Sequence, residues 1–158
     1  MEGKLAGFHF NDSKYGDDDL TVGSINPYQL FLIFNELVEG MDARGMTHAT
    51  DIGWMIDASH NVKDPIEDLL QSVQAIKIAY TQALIVDKAA LKAAQQNNDV
   101  TLAQEILQQA YRTDVRPLVA QASLLSGGAL SPVNAYRSLQ VRENLIKERG
   151  LKTVATGL

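Results

Sequence analysis

The stretch LAGFHFNDSKYGDDDL, residues 5–20, joins a short apolar run to an acidic loop that contains a glycine. Residues 5–10 predict a β-strand, with Phe8 and Phe10 on one side and His9 on the other side together with Gly7. Residues 11–24 are rich in Asp, Gly and Ser, which predicts a loop. The strand therefore ends where a histidine and several carboxylates come together in the sequence.

A helix and a second strand follow this loop. Asn26 and Pro27 predict the start of the helix, with Asn at the capping position and Pro in the first turn. Its apolar residues recur at helical spacing, at Leu30, Ile33, Phe34, Leu37 and Met41. The near-continuous apolar run at 52–56, ended by Asp57, is typical of a strand in a parallel sheet covered on both faces. The front third of the chain thus predicts a βαβ unit.

From Asp64 onward the sequence has the pattern of helices. Asp64 and Pro65 form a second cap pair, with Glu67 placed for a capping box. One long apolar stripe follows, at Leu69, Leu70, Val73, Ile76, Tyr80, Leu84 and Leu91. Later helices are predicted from Asp99 to about Tyr111, from Asp114 to Ser126 and from Ser131 to Gly150. These patterns divide the chain into residues 1–64 and residues 65–158.

The composition restricts the classes of function. The 158 residues are 46% hydrophobic and 21% charged, with a net charge of −5, which is ordinary for one globular domain. The basic residues are scattered, so neither a nucleic acid nor a membrane surface is an expected partner. No cysteine is present, which excludes disulfides and thiol chemistry. Since neither a membrane span nor a signal peptide is recognisable, we expect a cytoplasmic protein.

The candidate functional residues lie at the ends of the two predicted strands. His9 and Asp57 would face the same edge of the sheet if the strands are neighbours, and Asp17, Asp18 and Asp19 follow in the first loop. A neutral nitrogen ligand with several carboxylate oxygens suits a divalent metal such as Mn²⁺ or Mg²⁺. Carboxylates that converge on one point repel each other unless a cation compensates their charge.

Each of these residues also has a structural interpretation, and the sequence leaves both open. His9 would serve equally as a hydrogen-bonded structural histidine, Asp57 as a helix cap or turn residue, and the acidic run as a solvated loop. The acidic loop does not have the spacing of an EF-hand. His48 and His60 are weaker candidates, with surface and structural roles favoured respectively.

The run from Gly7 to Leu20 resembles the seventh-strand segment of bacterial L-rhamnose isomerases, most closely the broad-specificity group that also acts on rare sugars. The resemblance spans nearly the whole chain and includes residues 27–36, 55–61, 111–114 and 127–128. It implies an α/β fold made of the last two βα units of a (β/α)8 TIM barrel plus a C-terminal α-helical extension. Residues 1–64 would be the βα units with the metal-binding residues, and residues 65–158 the last barrel helix and the extension.

The resemblance also implies two divalent ions, most often Mn²⁺, at the mouth of the barrel. His9 matches a ligand of the structural ion, and Asp17 and Asp19 match ligands of the catalytic ion. Asp57 matches a ligand of the structural ion that also has a catalytic role, because it helps to position the reacting water. A TIM barrel takes about 250 residues, so we expect a missing N-terminal part to supply the other ligands.

The implied activity is the interconversion of an aldose and a ketose, L-rhamnose and L-rhamnulose or related rare sugars, by a metal-assisted 1,2-hydride shift. The family is homo-oligomeric, typically tetrameric. The alternative, from a different class, is a non-catalytic helical fragment acting in subunit assembly or protein–protein interaction. We expect the isolated chain to be inactive as an isomerase and to self-associate or to be poorly ordered over residues 1–60. The reason would be that apolar strand residues lack packing neighbours, namely Phe8, Phe10, Ile52, Trp54 and Ile56.

Overall fold

The computed structural model describes residues 4–16, 18–46, 52–58 and 63–150, and within these ranges the chain forms two strands and seven helices. The strands are β1 (Gly7–Phe10) and β2 (Gly53–Ile56). The helices are α1 (Pro27–Asp42), α2 (Pro65–Leu84), α3 (Lys88–Gln96), α4 (Val100–Arg112), α5 (Arg116–Leu125), α6 (Pro132–Ser138) and α7 (Val141–Glu148). We refer to β1, α1, β2 and α2 as the front unit and to α3–α7 as the tail helices.

The two strands pair in parallel, as the βαβ pattern predicts. Phe8 lies opposite Trp54 and His9 lies opposite Met55, so the residues of each pair lie on the same face of the sheet. The connection between them runs through α1, because parallel neighbours need a long crossover. The assignment of these elements to a barrel, and the division at residue 64, remain predictions.

One face of the two-stranded sheet is covered by α1 and α2 and carries an aromatic core. The ring of Phe34 on α1 lies 5.3 Å from that of Phe10 and 5.2 Å from that of Trp54, measured between centroids. Trp54 in turn contacts Tyr80 on α2, with centroids 5.6 Å apart. Such aromatic pairs add stability beyond the area they bury.

The expectation that apolar strand residues lose their neighbours is therefore wrong. Phe10 and Ile52 are each only 3% exposed, and Phe8, Trp54 and Ile56 are half-buried against the same core. The physical reason is that α1 and α2 follow their own strands directly and cover this face, so that its packing is local to the front unit.

The opposite face of the sheet is open, which corrects the prediction that both faces of β2 are covered. His9 is exposed, and Met55 beside it is 56% exposed. Gly7 and Gly53 lie opposite each other on the same face, and a Cβ added to Gly7 would stand 2.9 Å from the carbonyl oxygen of Gly53. The close approach of the two strands at this point requires glycine at position 7.

The helix caps agree with the sequence in position but not always in chemistry. Asp64 caps α2, since its Oδ1 accepts hydrogen bonds from the amides of Ile66 at 3.0 Å and Glu67 at 3.2 Å. Asn26 stands at the cap of α1, but its side chain makes no capping bond. The side-chain amide of Asn26 instead donates from Nδ2 to Asp12 Oδ1 and to the carbonyl of Ser13.

The tail differs from the sequence prediction in two places. The long apolar stripe is interrupted, because α2 ends at Leu84 and α3 begins only after its own cap, Asp87. The last predicted helix is divided into α6 and α7 at Gln140, whose φ of +48° lies in the left-handed region. Both breaks are local interruptions of an otherwise helical sequence.

Among the described helices, none is both long enough and apolar enough to cross a bilayer.

The tail helices contact the front unit through apolar side chains of α3 and α4, which pack in the same core, and through several polar contacts. The Tyr136 hydroxyl on α6 donates a 2.9 Å hydrogen bond to Asp64 Oδ2. Arg137 donates to Glu67, with one bond of 3.0 Å between Nε and Oε2. The Glu67 side chain therefore binds α6, and its part in a capping box remains a prediction. Gln82 near the end of α2 donates to the carbonyl of Tyr111 at the end of α4.

Candidate metal centre

His9 and Asp57 meet at the carboxyl ends of the two strands. The amide of Asp57 donates to the carbonyl of Phe10 at 3.0 Å, which continues the parallel ladder by one residue. His9 Nδ1 then lies 3.4 Å from Asp57 Oδ2, and the two side chains are 63% and 62% exposed. Asp57 does not cap α2, because Asp64 does, and the His9 side chain is exposed beside Asp57.

The acidic loop between β1 and α1 is closed by a backbone bridge. The amide and carbonyl of Asp12 pair with the carbonyl and amide of Leu20, at 2.9 Å and 2.6 Å. Within this loop the Asp18 carboxylate accepts from the amides of Lys14 and Tyr15, so it is directed back into the loop. Asp18 therefore stabilises the turn and is not presented to a ligand.

Asp19 is held in an unusual backbone conformation at the end of the loop. Its φ is +42°, in the left-handed region that is uncommon for residues other than glycine. Its Oδ1 accepts a 2.8 Å hydrogen bond from Asn11 Nδ2. Asp17 lies outside the described residues, so the pairing of Asp17 with Asp19 as ligands of one ion remains a prediction.

Asp12, whose carboxylate is buried, is not among the residues that the sequence predicts for the site. Asp12 is only 7% exposed. Its Oδ2 accepts from the amides of Ile25 and Asn26 at 2.8 Å and 2.9 Å, and its Oδ1 accepts from the amide of Ser13 and the side chain of Asn26. Burial raises the pKa of the Asp12 carboxyl, but the hydrogen bonds from Asn26, Ile25 and Ser13 outweigh it and hold that pKa below its ordinary value of 3.8.

The far end of the same loop is fastened to α2. The Thr21 hydroxyl donates to the buried carboxylate of Asp68, and the amide of Val22 donates to Ser72 Oγ at 3.2 Å. Lys63 pairs with the same carboxylate, with its Nζ 3.2 Å from Asp68 Oδ1. This buried network positions the loop relative to the second βα unit.

The donor types at this edge suit a divalent cation, but the described residues supply an incomplete shell. An imidazole nitrogen and carboxylate oxygens are ligands of Mn²⁺. Within the described residues, however, no group of three or more His, Asp or Glu side chains is placed to hold a metal. His48, His60 and Asp17 lie outside the described residues. His9 and Asp57 thus fit part of a metal shell, while Asp19 does not join them in one group among the described residues.

Comparison with known proteins relates the chain to sugar isomerases. It is 51% identical over 156 residues to a probable sugar isomerase of Mesorhizobium japonicum, covering 98% of this chain and 35% of that protein. It is 53% identical over 146 residues to a probable sugar isomerase of Rhizobium meliloti, covering 92% of this chain and 34% of that protein. These names specify neither the sugar nor a metal.

The match covers nearly all of this chain but only part of each relative. The chain matches no protein-family model. It spans about a third of the length of the curated relatives it matches. Over nearly its whole length, the chain is therefore similar to about one third of proteins that are named probable sugar isomerases.

Proposed function

We propose that this chain is one part of a metal-dependent sugar isomerase and carries ligands of its active site. The observation that carries the proposal is the 51% identity to a probable sugar isomerase across 98% of the chain. The meeting of His9 and Asp57 at one edge of a parallel sheet supports it, because active sites of α/β barrels lie at the carboxyl ends of the strands.

The finer proposal is an L-rhamnose isomerase of the broad-specificity type, with the front unit as the last two βα units of a (β/α)8 barrel. Three features of the front unit support it. The strands are parallel, α1 and α2 cover one face of the sheet, and the other face presents His9 and Met55. A barrel segment would have these features, with its inner face completed by other strands.

Metal chemistry in this proposal follows from the donor set. His9 and Asp57 would hold a structural ion, and Asp17 and Asp19 a catalytic one, with further ligands from the rest of the protein. A divalent cation, Mn²⁺ in the first instance, supplies Lewis acidity toward the sugar oxygens when bound. In the reaction, a hydride moves from C2 of the aldose to C1, and a proton moves from the C2 hydroxyl to the C1 oxygen. Asp57 would orient the water that carries this proton.

A second candidate is a non-catalytic helical fragment that acts in assembly. The large exposed side chains of the tail favour it, since Leu125 is 83% exposed and Leu139 is 68% exposed. An assembly role of the tail would also fit the first candidate, a cytoplasmic isomerase that forms a homo-oligomer, which is a tetramer in the family. The candidates differ in whether the full-length gene product turns over sugar.

The test compares the 158-residue chain with the full-length gene product. Both are purified without metal and assayed for ketose formation from L-rhamnose with Mn²⁺. We expect turnover by the full-length protein, loss of that turnover with a chelator, and none by the chain alone. Turnover that survives complete metal removal would contradict metal dependence. A full-length protein that isomerises no aldose, while the chain assembles into a defined oligomer, would favour the second candidate.

A further inference from the structure

The Asp12 side chain has no remaining capacity for a metal ion. A carboxylate has about four lone-pair positions, and Asp12 uses them for the amides of Ser13, Ile25 and Asn26 and for the side-chain amide of Asn26. Its backbone is committed as well, to both polar groups of Leu20. Asp12 thus joins the end of β1, the end of the acidic loop and the start of α1.

Asn11 connects the strand end to Asp19 directly. Its Nδ2 donates to Asp19 Oδ1 at 2.8 Å, across the neck that the Asp12–Leu20 bridge closes. The left-handed conformation of Asp19 costs free energy and persists where surrounding contacts determine it. Asn11 follows His9 by two positions. The end of β1 therefore carries both the histidine and the residue that binds the loop carboxylate of Asp19.

We infer that Asn11 and Asp12 are positioning residues, which fix the acidic loop and direct the Asp19 carboxylate relative to His9. This inference rests on the proposed function, because it assigns the two residues to support of a metal ligand. Hydrogen bonds from outer residues orient ligating carboxylates, and their removal typically lowers metal affinity about 10- to 100-fold. Asp12 acts through the loop backbone, and Asn11 acts on the ligand itself.

The experiment measures Mn²⁺ affinity of the metal-stripped, full-length protein by calorimetric titration with MnCl₂. Asn11→Ala and Asp12→Asn are expected to weaken Mn²⁺ binding about 10- to 100-fold. Asp87→Asn is the matched control, because Asp87 also accepts a backbone amide, that of Ala90, but caps α3. Its Mn²⁺ affinity should equal that of the wild type. Circular dichroism at the titration temperature establishes that each variant is folded.

Kinetics separate positioning from a general loss of stability. Raising the Mn²⁺ concentration should restore most of the kcat of Asn11→Ala. Because Mn²⁺ would also stabilise a merely destabilised protein, urea unfolding of the metal-free variant is measured as well and should match that of the wild type. If Asp12→Asn does not fold, Asn11→Ala alone decides, since its bond is exposed. Wild-type affinity in Asn11→Ala, with the wild type binding Mn²⁺, would overturn the positioning roles only. A wild type that binds no divalent ion would overturn the proposed function and this inference together.

Discussion

The front unit and the tail helices are both helical for most of their length, yet they are stabilised differently. In the front unit, Phe31, Phe34 and Met41 are fully buried around one face of the sheet. Of the tail helices, α3 and α4 add Leu91 and Ala110 to this core, whereas no residue of α7 is buried. The largest buried side chains are therefore those of the front unit, next to the candidate site, and the packing decreases toward α7.

The polar contacts of the two regions differ in the same direction. The front unit buries the carboxylates of Asp12 and Asp68 and satisfies each with several donors. The tail relies on exposed ion pairs, such as Arg116 with Asp114, which are worth little in water. Hydrogen bonds in the front unit therefore fix the shape of a loop, while in the tail Tyr136 and Arg137 join α6 to the start of α2.

The largest expected effect tests where the packing free energy lies. Phe34→Ala removes a fully buried ring that contacts Phe10 and Trp54, so we expect a loss of about 3–5 kcal/mol in the free energy of unfolding. Leu125→Ala in α5 changes a side chain that is 83% exposed and should shift stability by less than about 0.5 kcal/mol. Urea unfolding of both variants measures the difference. Equal losses would mean that the packing free energy does not decrease from α1 to α5.

The next prediction tests whether the chemistry is also confined to the front unit. In the full-length protein, Asp19→Asn removes the charge of a proposed ligand, so turnover should fall more than about 100-fold, beyond the range for an outer residue. Asp114→Asn is the tail control, because Asp114 is an exposed carboxylate paired with Arg116. Its kcat should match the wild type. Wild-type turnover in Asp19→Asn would remove Asp19 from the site.

Much of the front unit could be predicted from its sequence because the signals are local. The alternation of Phe8, His9 and Phe10 is observed as buried and exposed faces, and the parallel pairing follows from the βαβ pattern. The meeting of His9 with Asp57 was predicted from the strand ends and is observed. Their role as metal ligands, and the barrel, remain predictions.

The remainder could not be predicted because the partners are distant in sequence. Asp12 finds its donors at Ile25 and Asn26, and no local pattern distinguishes it from the acidic residues that follow. The division between α6 and α7 depends on one left-handed residue, Gln140, in a sequence with ordinary helix propensity. Asn26 has the right type for a cap, but Asp12 binds its side chain instead.

A third prediction concerns the contact between the two regions. Tyr136→Phe removes the hydrogen bond to Asp64, and a bond to a charged group is worth about 1.5–3 kcal/mol. Burial, with the hydrogen bond to Asp64 and its charge, raises the pKa of Tyr136 to about 12. Because this pKa is above the unfolded value of about 10, its stabilisation is complete below pH 10 and is lost as pH rises toward 12.

Stability against urea between pH 9 and pH 11 measures this dependence. The wild type should lose more stability over that range than Tyr136→Phe does, because the variant has no phenol to ionise at the contact. Parallel pH profiles for the two proteins would show that Tyr136 does not link α6 to α2 in solution, and that the tail attaches by other contacts.

The smallest expected effect tests how the tail helices are held. Asp99 caps α4, since its Oδ1 accepts from the amide of Leu102 at 3.0 Å, and loss of such a cap costs about 1 kcal/mol. Ser131 stands at the cap position of α6 but makes no capping bond, so Ser131→Ala should cost less than about 0.5 kcal/mol. Urea unfolding followed by circular dichroism compares Asp99→Ala with Ser131→Ala. Because the tail buries few large side chains, a single cap is a substantial share of its local stability. Asp99→Ala should therefore increase hydrogen exchange in α4 before it increases exchange in α1. An equal increase in both helices would show that the chain unfolds as one unit, and that the difference in packing between its two regions has no counterpart in their local stability.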